Sequence, residues 1–147
     1  MRLEEVRSFV ESKSAWIEKH LASLPPREEK FTSRQLEALR AQTGALVSQR
    51  VAHFASVMGV TWGRISVRTQ HTRWGSCSSK GNLNFNLLLG LAPPEFLDYV
   101  VVHELCHRKV MNHSPQFWAE VERILPDYAL HRQWLREHGS RLMAKLP

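Results

Sequence analysis

The sequence predicts an α+β domain, mostly helical, with a small antiparallel sheet of about three strands ahead of a central helix. Three observations predict it. Apolar residues recur at three- and four-residue spacing through most of the chain. Strict apolar–polar alternation is confined to residues 61–90, too little for a barrel or sandwich. Proline pairs and glycines fall where helices would start or stop. A length of 147 residues suits one compact unit.

The elements follow in order. Residues 3–23 read as one amphipathic helix, with Val6, Phe9, Val10, Trp16, Ile17 and Leu21 on its apolar face. Pro25-Pro26 ends it, since proline lacks a helical N–H and constrains the residue before it. Residues 25–32 read as a polar linker, so the expected organisation is helix 1–24, linker 25–32 and main domain 33–147. A second helix is expected from about Ser33, its N-cap, to Val57, with Gly59 as its stop. Its stripe is Leu36, Leu39, Leu46, Val47, Val51, Phe54 and Met58, with Gly44 weakening it by roughly 1 kcal/mol. Ile65 and Val67 alternate with Arg64, Ser66 and Arg68, as do the apolar and polar residues of 83–87; residues 74–82 between them are turn-rich. The next helix is expected from about Pro94 to Met111, a shorter one after Ser114-Pro115, and a last one from about Tyr128 to Leu142.

Composition narrows the function. Hydrophobic residues make up 43% and charged residues 23%, which excludes a disordered or collagen-like chain. No apolar run approaches the ~20 residues a spanning helix needs, and the start of the chain has no secretory signal. Two cysteines, Cys77 and Cys106, are too few for a stapled secreted scaffold, so a cytoplasmic location is expected. The net charge of +6 keeps nucleic acid among possible partners without favouring it, because basic and acidic residues are interleaved. The oligomeric state is not legible.

The third expected helix contains His103-Glu104-Leu105-Cys106-His107, an H-E-x-x-H pattern. Residues four apart share a helix face, so two imidazoles can grip one metal ion. Glu104 lies about 80° from their bisector, where it misses the metal and reaches a water on it. Leu105, Val101 and Val102 make the other sides apolar and bury the helix. Three protein ligands and one open position make a catalytic zinc site. His113 follows beyond the helix end, where Asn112 suits a left-handed reversal; Glu120 and Glu122 are competing third ligands. Cys106 reads as a small buried hydrophobe, and Cys77 as a packing or redox-sensitive thiol. Trp74, Trp118 and Trp134 read as core or groove packing, and Arg50, Arg108 and Lys109 as a solvated face.

Four motifs in order carry a resemblance: Arg73-Trp74-Gly75-Ser76-Cys77, Asn82-Leu83-Asn84, His103-Glu104-Leu105-Cys106-His107, and Asn112-His113-Ser114-Pro115-Gln116-Phe117-Trp118. Over roughly residues 33–137 the chain resembles the YgjP-like metallopeptidase domain, which looks related to SprT-like zinc proteases. The resemblance implies a zincin-like fold, one zinc per chain held by His103, His107 and His113, and Glu104 as the base acting on the zinc-bound water. It favours His113 over Glu120. A metzincin is not matched, because no glycine follows His107 at the required place. Family members often carry a β-rich segment ahead of the first helix seen here, so the chain reads as a short version.

The expected function is zinc-dependent hydrolysis of peptide bonds in a peptide or protein substrate. Arg73, Trp74 and Asn84 are expected substrate-binding residues, and Arg73, His71, Tyr128 and His131 are candidate oxyanion donors. A peptide is expected to add as a further strand beside residues 82–88. The competing readings are a non-enzymatic zinc-containing binding module, a hydrolase of small amides, and a DNA-associated SprT-like protease.

Overall fold

The structure is a computed structural model that describes residues 30–147. The helix expected over residues 3–23 and most of the linker lie outside the described residues. Among the described residues, four α-helices, one 3₁₀ turn and three short strands follow in chain order. No helix among the described residues is long and apolar enough to cross a membrane.

Helix α1 spans Ser33–Met58. Its N-cap is Thr32, not Ser33: the Thr32 hydroxyl accepts from Gln35 N at 3.2 Å and the Gln35 side chain accepts from Thr32 N at 2.8 Å. This reciprocal pair satisfies two end donors at once, which Ser33 could not do with Leu36 opposite it. Gly59 closes the helix in the left-handed conformation at φ 69, as its position predicts. The buried face is Leu39, Thr43, Val47, Val51, Phe54, Ala55 and Met58. Leu46 departs from the expected stripe and is 38% exposed. The line of four-residue steps from Leu39 passes through Thr43, whose hydroxyl donates to the Leu87 carbonyl at 2.7 Å. Before the helix, Phe31 is buried and its N–H donates to the Lys145 carbonyl at 2.9 Å.

Strands β1 (Ile65–Arg68), β2 (Gly75–Cys77) and β3 (Leu83–Asn86) form a sheet in the order β1-β3-β2. The sheet is mixed rather than antiparallel. The hairpin pair β2 and β3 is antiparallel, but β1 runs parallel to β3, with Ile65 opposite Leu83 and Val67 opposite Phe85. The cause is the segment 69–74, which carries the chain across the end of β3 so that β1 and β2 flank it. Asn86 fastens this crossing. Its amide donates to the Gln70 and Arg73 carbonyls at 2.7 and 2.8 Å, its Oδ1 accepts from Leu88 N, and its own N–H donates to the Trp74 carbonyl. Asn86 is fully buried, with its side-chain amide, its Oδ1 and its backbone N–H all engaged. Both edges of β3 are therefore occupied, and a peptide cannot add beside it as expected. The sheet edge next to the central helix belongs to β2, which starts inside the segment that reads as turn.

A 3₁₀ turn (Leu87–Leu91) leads into helix α2 (Pro94–Cys106), which packs against α1, β2 and the two helices that follow. Val101, Val102, Leu105 and Cys106 have no exposed surface, as the pattern predicts. The helix stops at Cys106, earlier than expected. The chain tightens through bonds from His107 N to Glu104 O, Arg108 N to Leu105 O and Lys109 N to Cys106 O. Asn112 is not left-handed, since no described residue but glycine has positive φ; this tightened turn reverses the chain instead. Helices α3 (Pro115–Ile124) and α4 (Tyr128–Met143) complete the domain, α3 capped by the Ser114 hydroxyl.

Replacing Asn86 with leucine leaves the Gln70 and Arg73 carbonyls and the buried Leu88 N–H without the side chain that pairs them. The expected cost is about 2–4 kcal/mol, read as a lower denaturation midpoint with an unchanged slope.

Candidate metal centre

The end of α2 and the turn after it place three imidazoles together. One ring nitrogen from each of His103, His107 and His113 falls in a set whose members all lie within 4.8 Å of one another. His103 and His107 come from one helical face. His113 arrives from the loop just before the Ser114 cap, so the cap fixes where it enters.

The rings share a floor. Phe117, one turn into α3 and fully buried, lies 5.0 Å from the ring of His103, 4.5 Å from His107 in a stacked arrangement, and 5.0 Å from His113. His107 Nδ1 donates to the Val110 carbonyl at 3.1 Å, which leaves Nε2 as the lone-pair nitrogen. His103 Nε2 and His113 Nε2 face each other at 3.3 Å. Burial, with the neighbouring imidazoles, pulls His103 down to about 3, so its ring is neutral at physiological pH. Burial also lowers His107, against the bond to Val110. Converging imidazole nitrogens, one of them on a ring of fixed tautomer, fit a borderline-soft divalent cation such as zinc.

The competing ligands are not in the group. Glu120 Oε1 accepts from Lys109 and Arg123 at 3.1 and 2.7 Å, which holds its carboxyl below the usual range. Glu122 is exposed on α3.

Glu104 is 6% exposed and borders the cluster. Burial pushes its carboxyl up to about 8, with the Arg73 guanidinium pulling the other way. Strand β2 runs close over it. A Cβ on Gly75 would stand 3.0 Å from Glu104 Oε2 and 3.1 Å from the Asn84 carbonyl oxygen, so only glycine lets strand and carboxyl approach this far. A cleft of about 300 Å³ opens over the histidines, Glu104, Arg73 and β2, and Met111 also lines it. Cys77 lies on its wall, half-buried, with its thiol pushed up by burial. Cys106 is wholly buried with its thiol pushed up to about 12, the inert hydrophobe its position predicts.

The other expected residues divide. Arg73 is exposed and lines the cleft, and Trp74 lines an adjoining cavity. Asn84 instead donates its side-chain amide to Ser76 Oγ at 3.2 Å. Of the oxyanion candidates, His71 Nε2 lies 3.1 Å from the Pro147 carbonyl, Tyr128 stacks on Trp118, and His131 Nε2 lies 3.2 Å from Asp127. Arg50 is paired with Asp98 and Arg108 with the Thr61 and Ser79 carbonyls, so neither is a freely solvated charge. Sequence reasoning missed Phe117 as the common floor and Tyr99 beside His103. The one available signal for Tyr99 was its place four residues before His103, on the same helical face.

Residues 26–138 match the family model of the YgjP-like metallopeptidase domain. The fold matches that of a solved structure, the metallopeptidase zymogen of Pyrococcus abyssi abylysin, at a TM-score of 0.56 and 23% identity, covering 69% of this chain and 99% of that one. No curated protein matches the sequence.

Two predictions follow from the geometry of the centre. Phe117→Ala removes the floor under all three rings and is expected to cost about 3–5 kcal/mol in chemical denaturation, with Phe117→Leu costing less. Glu104→Gln is expected to stabilise the metal-free chain in a pH-dependent way. A folded-state pKa of about 8 against an unfolded value of 4.5 means no penalty below pH 4.5 and a full one above pH 8. Thermal melts should therefore show little difference at pH 4 and a gain of about 2–4 kcal/mol for the glutamine variant at pH 8.5.

Proposed function

We propose that this chain, which belongs to the YgjP-like metallopeptidase family, is a zinc-dependent peptidase that hydrolyses peptide bonds in extended peptide or protein substrates. The observation that carries the reading is the meeting of three imidazole nitrogens and a buried carboxyl in one open cleft. His103, His107 and His113 would hold the zinc. Zinc bound there would supply Lewis acidity and make water acidic near neutral pH.

Glu104 takes the proton from the attacking water and returns it to the leaving amine. A carboxyl poised near neutrality is suited to both transfers. Gly75 keeps β2 close against Glu104, which restricts the carboxyl to positions facing the cleft. Arg73, alone among the four expected donors in lining the cleft, is the group that stabilises negative charge on the carbonyl oxygen. The outer edge of β2, unpaired among the described residues, offers main-chain bonds to an extended substrate. That favours a peptide over a small amide. A closed, purely structural zinc site would need a fourth protein ligand, and Glu120 is engaged elsewhere.

Metal content and turnover test the reading together. Wild-type chain is expected to hold about one zinc, and His113→Ala to lose most of it. Glu104→Gln is expected to keep the zinc and lower kcat/KM on a peptide mixture by about 10²–10⁴-fold. A zinc-loaded glutamine variant as active as wild type would overturn the role of Glu104. Full zinc retention by His113→Ala would overturn the ligand set.

A further inference from the structure

Helix α4 lies along the rim of the site. Its Arg132 sets the guanidinium carbon 4.5 Å over the Trp118 ring, and that ring lies 5.7 Å from the ring of His103. Further along the helix Gly139 meets the Trp74 indole, where a Cβ would stand 2.9 Å from it. Leu135, between the two contacts, lines a cavity of about 250 Å³ together with Trp74, His103 and Glu104. A tryptophan contact at each end therefore fixes the face that α4 turns toward the metal centre.

That face carries a second arginine. Arg136 follows Arg132 by four residues, so the two share one side of the helix, about 6 Å apart along its axis. Both are exposed. Like charges at this spacing repel, and among the described residues no carboxylate pairs with either. The acids on or beside α4 are engaged elsewhere: Glu137 accepts from Gln133 at 2.7 Å, and Asp127 lies 3.2 Å from His131. The charge of Arg132 is felt at His103 and Tyr99, and that of Arg136 at Tyr99. Arg73, also exposed, adds its own charge from the wall of the cleft. The rim is thus cationic, and its two α4 arginines stand without a counter-ion.

We infer that Arg132 and Arg136 bind acidic side chains of the substrate, so that the site favours extended segments carrying Asp or Glu at alternate positions. The inference rests on the peptidase reading for what is cut. Alternate side chains of an extended chain share one face and lie about 6.6 Å apart, close to the spacing of the two arginines. Trp118 holds Arg132 in place, so less side-chain freedom is lost when it pairs. One exposed ion pair is weak, and two or three acting together give a preference on the order of tenfold. A nucleic acid strand fits less well. It needs open aromatic faces for its bases, and Trp118 is already stacked by Arg132 and Tyr128.

The test uses the full zinc-loaded chain at low salt and three peptides of one sequence, with Glu, Gln or Lys at two alternate positions near the cleaved bond. The expected result is a kcat/KM about tenfold higher for the Glu peptide than for the Gln peptide, and lower still for Lys, with the difference fading at about 0.5 M salt. Arg136→Glu should reverse the order of the Glu and Lys peptides, which a loss of shape alone does not do. Arg34→Gln combined with Arg64→Gln removes as much charge from exposed positions outside the cleft and should leave the order unchanged. Equal cleavage of the three peptides, or the same reversal in the Arg34 and Arg64 variant, would overturn the inference and leave the peptidase reading standing. Calorimetry on the zinc-loaded Glu104→Gln chain separates binding from turnover. If wild type cleaves none of the peptides, but the Glu peptide binds about tenfold tighter than the Gln peptide and Arg136→Glu in that background removes the difference, the acidic-segment site stands and the peptidase reading falls. Equal binding of the two peptides overturns the site, as does displacement of the Glu peptide by a lower concentration of a single-stranded oligonucleotide of equal charge.

Discussion

Helix α2 is gripped by apolar contacts on every side but one. Its inward positions are Phe96, Val101, Val102, Leu105 and Cys106, with packing from α1, the two later helices and strand β2. A helix held this way cannot rotate about its axis without exposing valine or leucine to water, at roughly 25 cal/mol per Å². The remaining sector, which carries His103, Glu104 and His107, is thereby given a fixed orientation before any metal arrives. The histidine face is a residue of the packing problem: it is the part of the helix that the core does not use.

Two other constraints aim the parts brought from elsewhere. Asn86 is the tie at the far end of the sheet. It binds both carbonyls of the crossing that ends at Arg73, so the arginine and the strand after it begin from a fixed point. Phe117 is the tie at the near end, where one phenyl ring meets all three imidazoles. Between them Gly75 removes the bulk that would hold β2 off Glu104. A polar clamp, an aromatic floor and a missing side chain each fix a different member of the site.

What was legible in the sequence was what repeats locally. The five-residue H-E-x-x-H pattern, the helix that follows Ser114-Pro115, the Gly59 stop and the apolar sides of α2 all follow from helical periodicity and end chemistry, and the structure has them. What was not legible depends on distant partners. The parallel pairing of β1 with β3 turns on how residues 69–74 are tied, and Asn86 alone gives no sign of it. Strand β2 is only three residues long and rich in turn formers. The reversal after α2 looked like work for Asn112, yet successive short-range backbone bonds accomplish it. Tyr99, Val100 and Leu135 line a cavity beside Glu104, and nothing in the sequence marks them for it, because a cavity wall and a core wall have the same composition. Thr43 displaced Leu46 from the buried stripe for a hydroxyl-to-carbonyl bond that sequence spacing does not encode.

The three imidazole rings, the carboxyl beside them and the phenyl beneath them all lie in the unbroken run from His103 to Phe117. Closing so short a loop costs little chain entropy, and contacts of this kind form early when a domain folds. The cleft is otherwise: its roof, β2, lies far back in the sequence and reaches Glu104 only after the sheet has paired. The imidazole cluster and the cleft over it are thus set by contacts of different range along the chain. A substitution in that distant strand is therefore expected to reshape the cleft before it disturbs the imidazole cluster.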